Sequence, residues 1–273
     1  MFKADLHMHT TASDGALSAK EVINKAKNSN LDIISITDHD TIEISKDTFE
    51  YSQKFNIKLI PGIELTTIHN GENVHLLGYF CDDSFKDTGF QNLLSHLKED
   101  RIQRGKNIVK NLKSFFDIDI DFNELLKDSN GLIARPHIAK AIIKSGYDNS
   151  FSHIFDTVLS KHSPAYVPNC NFELTEGLKI LNSLNAITVI AHPTLLKKNK
   201  VEDLMNLDFK GLEIIYPLNK EGEFEYFKKL CQKYNKIYTA GSDFHGITDD
   251  LKHGDLGSCY LDGEALDNFL NLF

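Results

Sequence analysis

The sequence predicts an α/β barrel interrupted by a helical block. Three observations carry that expectation. Short apolar runs alternate with amphipathic, helix-like stretches at both ends of the chain. The rhythm breaks near Ser84 and resumes near Pro168. Histidines and carboxylates recur where the apolar runs end, which is where parallel barrels carry their chemistry.

The elements follow in order. "FKADLHM" reads as a strand. "LSAKEVINKAKNSN" (Leu17 to Asn30) reads as a helix, with Ser18 as N-cap and Glu21 three residues on, the spacing of a capping box. "LDIISITDHD" is a buried strand ending in polar residues, "TIEISKDTFEYSQKFN" an amphipathic helix and "IKLIPGIELT" a third strand. This βαβαβ order implies parallel strands with crossover helices. "NVHLLGYF" is a further strand. Helical signals then dominate, from "FQNLLSHLKEDRIQRGKNIVKNLKSFF" through "DFNELLKDSN", "RPHIAKAIIKSGY" and "FSHIFDTVLSKH". "FELTEGLKILNSLN" (helix), "AITVIAHP" and "FKGLEIIYP" (strands), "KEGEFEYFKKLCQKYN" (helix) and "KIYTAGSDFHG" (strand into a polar turn) restore the first pattern. The expected division is a barrel of residues 1–84 and 169–273 and a helical insertion, 85–168, covering the active site.

Composition bounds the function. At 273 residues, 41% hydrophobic and 25% charged, the chain is long enough for a barrel-sized core and has ordinary globular chemistry. A formal net charge of -9 argues against binding long nucleic acid. Cys81, Cys170, Cys231 and Cys259 form no CxxC pair, so they read as free, mostly buried thiols in a reducing compartment. No basic segment leads into an apolar one at the start, and no apolar run reaches the roughly 18 residues of a spanning helix. The expectation is a cytoplasmic protein with no membrane and no obligatory protein partner.

The strand ends are the informative part. They carry His7 and His9, His39, Glu64, His75, His192, then Asp243 and His245, with Asp14 on the loop after the first strand. A single histidine at a strand end is more often structural than functional. Six at one sheet end, with three carboxylates beside them, reverse that weighing. Burying so many ionisable groups together is costly without a cation, and imidazole with carboxylate suits zinc, manganese or iron. His7/His9 and Asp243/His245 repeat an i, i+2 spacing that aims two side chains from one strand end. Asp5 and Asp38 fit a role in orienting imidazoles, and Asp40 a helix cap. His69, His96, His153, His162 and His253 lie outside the strand ends and are expected at the surface or in packing.

"DLHMHTTASDG", "TDHD", "PGIE", "AHP" and "GSDFH", in that order, resemble the motifs of the PHP (polymerase and histidinol phosphatase) phosphoesterases. "VHLLGY" and "ARPHIA" resemble the branch that acts on nucleotides and RNA 5′ ends. The resemblance implies a distorted (β/α)7 TIM-like barrel holding three divalent ions, manganese, zinc or iron. His7, His9, Glu64 and Asp243 would hold the first. Glu64 would bridge to a second, completed by His75 and His192. Asp14, where some members have His, would hold the third with His39 and His245. Glu64, His192 and Asp243 are the expected catalytic set. Arg135 and His137 would grip phosphate, Arg through its planar fork; the bland reading makes them a surface charge and a first-turn helix residue. Tyr166, Tyr216 and Lys197 are weaker candidates for lining the pocket.

The implied activity is hydrolysis of nucleotide phosphate esters by metal-activated hydroxide. The substrate would be a 3′,5′-bisphosphorylated nucleotide or the 5′ end of a short RNA. A small-metabolite phosphatase acting on histidinol phosphate, and a non-enzymatic metal-holding module, are the alternatives. No Ser-His-Asp or Cys-His arrangement and no Gly-rich phosphate loop stands out.

Overall fold

Seven strands pair in chain order. β1 (Ala4–Asp5), β2 (Ile33–Ile36) and β3 (Lys58–His69) are parallel neighbours, as are β5 (Ile187–Ile190), β6 (Gly211–Ile215) and β7 (Ile237–Ala240); between the two sets stands β4 (Glu72–Tyr79). The structure is a computed structural model describing residues 2–147, 150–169, 172–248 and 253–273. The seam between β7 and β1 is bridged by backbone bonds: Leu6 N–H donates to Ala240 O, Asp243 N–H to His7 O and His9 N–H to Phe244 O. The expected α/β barrel is therefore present.

β4 departs from the expected parallel arrangement. It runs antiparallel to both β3 and β5. The cause is local. Asn70 and Gly71 hold φ of 49° and 71°, and two successive positive φ values make the tight two-residue turn that Asn-Gly favours. A hairpin thus replaces one crossover helix, and it brings His75 opposite Thr66, near Glu64, rather than to a remote strand end.

Helices cover the barrel. α1 (Ala19–Asn28) starts at the expected capping box: Ser18 Oγ accepts from Glu21 N–H while Glu21 accepts from Ser18 N–H. Its buried Val22, Ile23 and Ala26 pack with Ile34, Ile36 and Leu59 outside the sheet. Each such side chain contributes about 1.5–3 kcal/mol when fully buried. α2 (Lys46–Gln53) is shorter than its amphipathic stretch and is capped by Ser45. Inside the barrel, Leu6, Ile60, Leu77, Val189 and Ala240 form the core, joined by Leu266 and Phe269 of a later helix.

The chain divides into two units, Met1–Gln91 with Asn171–Phe273, and Asn92–Cys170. The long α3 (Thr88–Phe116) leads into the second, which holds α4 (Phe122–Asp128), α5 (Arg135–Lys144) and α6 (Phe151–Asp156). That unit has its own apolar cluster, including Ile108, Leu112, Leu125, Ile138, Ile142 and Ile154. The first unit continues with α7 (Leu174–Ser183), the one-turn α8 (Val201–Leu204), α9 (Glu223–Lys233) and α10 (Gly263–Leu270). Among the described residues no helix is long and apolar enough to cross a membrane. Cys231 is buried and Cys259 partly so, but Cys81 is exposed, against the expectation of mostly buried thiols; Cys170 lies outside the described residues.

Candidate metal centre

The strand ends converge on Glu64. Glu64 itself lies within β3 rather than at a strand end as expected, because β3 runs on into the hairpin beyond Pro61, where its pairing with β2 stops, and its side chain is buried. His7 and His9 arrive from the end of β1, alternating with buried Leu6 and Met8. Asp243 and His245 arrive from the end of β7. His7 Nε2, His9 Nε2, Glu64 Oε2 and Asp243 Oδ1 form one cluster, with five separations between 3.1 and 3.3 Å. A tetrahedron with such edges has its centre about 2 Å from each corner, the bond length of zinc-class ions to nitrogen and oxygen. Glu64 Oε2 and Asp243 Oδ1 are buried without a hydrogen-bond donor. Two carboxylate oxygens facing two imidazole nitrogens suit a divalent cation.

Glu64 turns its other oxygen to a second group. His75 Nδ1 lies 2.8 Å and His192 Nε2 3.1 Å from Oε1. Around Asp14 is a third: His245 Nε2 at 3.3 Å, His9 Nδ1 at 3.7 Å and His39 Nε2 at 4.0 Å. His39 also presents Nδ1 to Glu64 Oε2 at 3.0 Å. His9 and His39 therefore face two groups each, yet a neutral imidazole has one lone pair to give. All nine strand-end candidates meet in this one region, and the donor set suits divalent metal ions.

Hydrogen bonds from behind fix the candidate ligands. Glu213, wholly buried in β6, places both carboxylate oxygens 3.0 and 3.1 Å from His7 Nδ1 and accepts from His192 N–H at 2.9 Å. A proton held on Nδ1 leaves the Nε2 lone pair facing the cluster. His245 Nδ1 is likewise 2.8 Å from Asp243 O, which leaves its Nε2 for Asp14. His192 and Asp243 adopt φ of 29° and 52°, conformations costly for non-glycine residues and frequent where function fixes the backbone. Gly241 must be glycine: a Cβ there would overlap His7 Cβ and Glu213 Oε1.

The aspartates correct part of the expectation. Asp38 accepts from Thr10 N–H, Thr10 Oγ and Ser13 Oγ, and Asp5 from Ser242 N–H, Ser242 Oγ and Gly257 N–H. They pin the loops that carry the ligands and touch no imidazole ring among these bonds. Asp40 accepts from Thr66 N–H and caps no helix; Ser45 does that work for α2. Tyr216 is buried, and its hydroxyl donates to Asp243 Oδ2 at 3.0 Å.

Two residues escaped the sequence reading. Glu213 is a lone carboxylate inside the apolar run "GLEII", and that isolation is its mark in the sequence. His253 stacks on His245 with ring centroids 4.0 Å apart, and its Nε2 lies 3.8 Å from Asp243 Oδ2. No strand end or periodicity marks it, so it was expected at the surface or in packing.

The electrostatics follow from proximity. Burial works to raise Asp14, Glu64 and Asp243, but the surrounding imidazoles outweigh it and hold all three well below the ordinary carboxylate range. Burial disfavours a charged His9, yet Asp243 and Glu64 override it and push its pKa up to about 10. His39 goes the other way: burial prevails and takes it down to about 3. Asp5 is raised to about 6, burial outweighing its Ser242, Gly257 and His7 donors.

Arg135 and His137 belong to the helical unit. Arg135 is half-buried, with its guanidinium 5.7 Å from the Phe155 ring centroid, so it is not a free surface charge. Burial lowers its pKa. His137 Nδ1 accepts from Ala134 N–H at 3.2 Å and so closes the first turn of α5.

Residues 5–242 match the family model described as the PHP domain. The chain is 26% identical over 250 residues to the 5′-3′ exoribonuclease Rnm of Escherichia coli, covering 88% of this chain and 84% of that protein. It is 25% identical over 269 residues to the 3′,5′-nucleoside bisphosphate phosphatase of Chromobacterium violaceum, covering 92% and 93%. A crystal structure from Bifidobacterium adolescentis, whose assignment as a metal-dependent phosphoesterase is itself provisional, superposes with a TM-score of 0.86 at 24% identity, covering 98% of this chain and 96% of that one. That likeness bears on the fold.

Proposed function

The chain belongs to the PHP domain family, and on that premise we propose that it is a metal-dependent phosphoesterase of nucleotides. Its substrate is a 3′,5′-bisphosphorylated nucleotide or the 5′ end of a short RNA, in the cytoplasm. The observation that carries the reading is Glu64, whose two oxygens face two separate ligand groups at one barrel mouth. The activities named for the Escherichia coli and Chromobacterium violaceum relatives support the substrate class.

Three divalent ions, manganese, zinc or iron, would be held as the sequence resemblance assigns them. His7, His9, Glu64 and Asp243 would hold one; Glu64, His75 and His192 a second; Asp14, His39 and His245 the third. Ions held there would supply Lewis acidity and a water of lowered pKa. The chain's residues supply the rest. Glu64, Asp243 and His192 fix where the reacting phosphate sits. Tyr216 keeps Asp243 Oδ1 turned inward by donating to Oδ2. The sequence resemblance assigns phosphate binding to Arg135 and His137 as well, Arg through its planar fork.

The test is a turnover panel on enzyme of known metal content. A 3′,5′-bisphosphorylated nucleotide, a short 5′-phosphorylated RNA and histidinol phosphate are compared. Release of phosphate or 5′ nucleotide from the first two is expected. Preference for histidinol phosphate overturns the substrate class, and no turnover with full metal content overturns the enzyme reading. Glu64→Gln keeps shape and removes the bridging charge, so activity should fall by roughly a thousandfold, about 4 kcal/mol of transition-state stabilisation. A variant with full metal content and full turnover sinks the assignment.

A further inference from the structure

The loop after His192 carries Lys197, Lys198 and Lys200 within four residues, all exposed in a chain of net charge -9. Lys198 Nζ donates to Gly71 O at 3.4 Å, and the Lys200 charge helps to hold Glu202 below the ordinary carboxylate range. Their backbone is fixed. The Glu72 carboxylate accepts from the N–H groups of Lys197, Lys198 and Asn199, each at 2.8 Å. Asn199 Nδ2 adds a bond to His69 O at 2.9 Å, and Asn70 Nδ2 donates to Asn199 Oδ1 at 3.1 Å. Glu72 is buried; burial works to raise its pKa, but the Asn199, Lys197 and Lys198 N–H groups prevail and hold it low. A buried carboxylate thus ties the lysine loop to the tip of the β3–β4 hairpin.

The hairpin sets where the loop stands. β4 pairs with β5 as far as Ala191, whose N–H donates to His75 O, and then runs on past the end of β5 to Glu72. Glu72 lies three residues from His75, about 10 Å along a strand. Successive phosphates of a single strand stand roughly 6 Å apart, about twice the axial 3.4 Å of a duplex strand, so that is the reach of about two nucleotides.

We propose that Lys197, Lys198 and Lys200 form a strap for the phosphodiester backbone of a single-stranded oligonucleotide whose 5′ end lies at the metal centre. The inference rests on the phosphoesterase reading and deepens it: each further phosphate adds a contact to the strap, which therefore favours oligomers over mononucleotides. Lysine contacts to phosphate do not sense the 2′-hydroxyl, so RNA and DNA of one sequence use the strap alike.

The test is fluorescence anisotropy of metal-loaded enzyme with 5′-phosphorylated, phosphorothioate-linked oligonucleotides from dinucleotide to pentanucleotide. Wild-type affinity should rise with length. In the Lys197→Ala, Lys198→Ala, Lys200→Ala triple variant that rise should vanish, with the pentanucleotide bound roughly tenfold more weakly. The salt slope should drop by about 2, from about 0.7 per phosphate contact for single strands. Glu72→Gln separates a fixed strap from loose charge. Removing an acid strengthens anion binding by simple electrostatics; a strap that has lost its anchor binds the pentanucleotide more weakly. Length-independent affinity, or an unchanged salt slope in the triple variant, refutes the strap while leaving hydrolysis standing. Length-dependent binding without cleavage of the natural phosphodiester refutes the hydrolysis reading alone. Loss confined to RNA, with DNA unaffected, refutes a phosphate strap.

Discussion

Glu213→Gln isolates how the barrel sets the chemistry of His7. Glu213 accepts from two donors at once, His7 Nδ1 and His192 N–H. A glutamine has one acceptor oxygen in the same space. If that oxygen keeps His192 N–H, the amide NH2 faces His7 Nδ1 and forces its proton onto Nε2. That nitrogen is 3.3 Å from both Glu64 Oε2 and Asp243 Oδ1, so the first cluster loses a lone pair. If the oxygen keeps His7 instead, two donors meet at His192, whose φ of 29° is left unsupported. Either way a candidate ligand histidine loses its partner, which for a metal-bound histidine costs about 10–100-fold in metal affinity, or about 1.4–2.8 kcal/mol. Alanine is a poorer probe. It leaves two buried donors unpaired at about 1–3 kcal/mol each, and the fold itself suffers. The assay is competition against a chromophoric chelator, with elemental analysis for stoichiometry and circular dichroism for folding. A folded Glu213→Gln protein that binds ions with wild-type affinity and stoichiometry refutes the argument.

Three further expectations follow from the same geometry. Gly241→Ala puts a methyl into His7 and Glu213, so metal affinity and thermal stability should fall together, the latter by about 1–3 kcal/mol; a variant with wild-type melting temperature and metal content contradicts the overlap. Arg135→Ala should raise KM about 10–100-fold, the range of a hydrogen bond to a charged group; an unchanged KM removes Arg135 from phosphate binding. Metal uptake should release protons at pH 7: His9, raised to about 10, is protonated beforehand, and a ligating imidazole must be neutral. Affinity therefore rises with pH toward that value, and calorimetry in two buffers of different ionisation enthalpy should register the released protons. Buffer-independent heats would contradict this.

The alternation of apolar runs, the capping box at Ser18 and Glu21, and the strand-end residues from His7 to His245 were legible in the chain, because periodicity and local spacing are properties of the chain itself. The ordered motifs pointed to the family for the same reason. The antiparallel β4 was written there too, in Asn70-Gly71, but a short apolar strand carries no mark of its direction. What the chain could not display is distance. Glu213 is far from His7 in sequence and reads as one acid in an apolar strand; only barrel closure puts it behind the imidazole. His253 joins Asp243 and His245 through a loop with no periodic signal. The choice each imidazole must make between two neighbours, as at His9 and His39, is likewise set by tertiary structure. Ligand type is chosen by side-chain chemistry, whereas lone-pair direction is chosen by whatever packs against the other ring nitrogen.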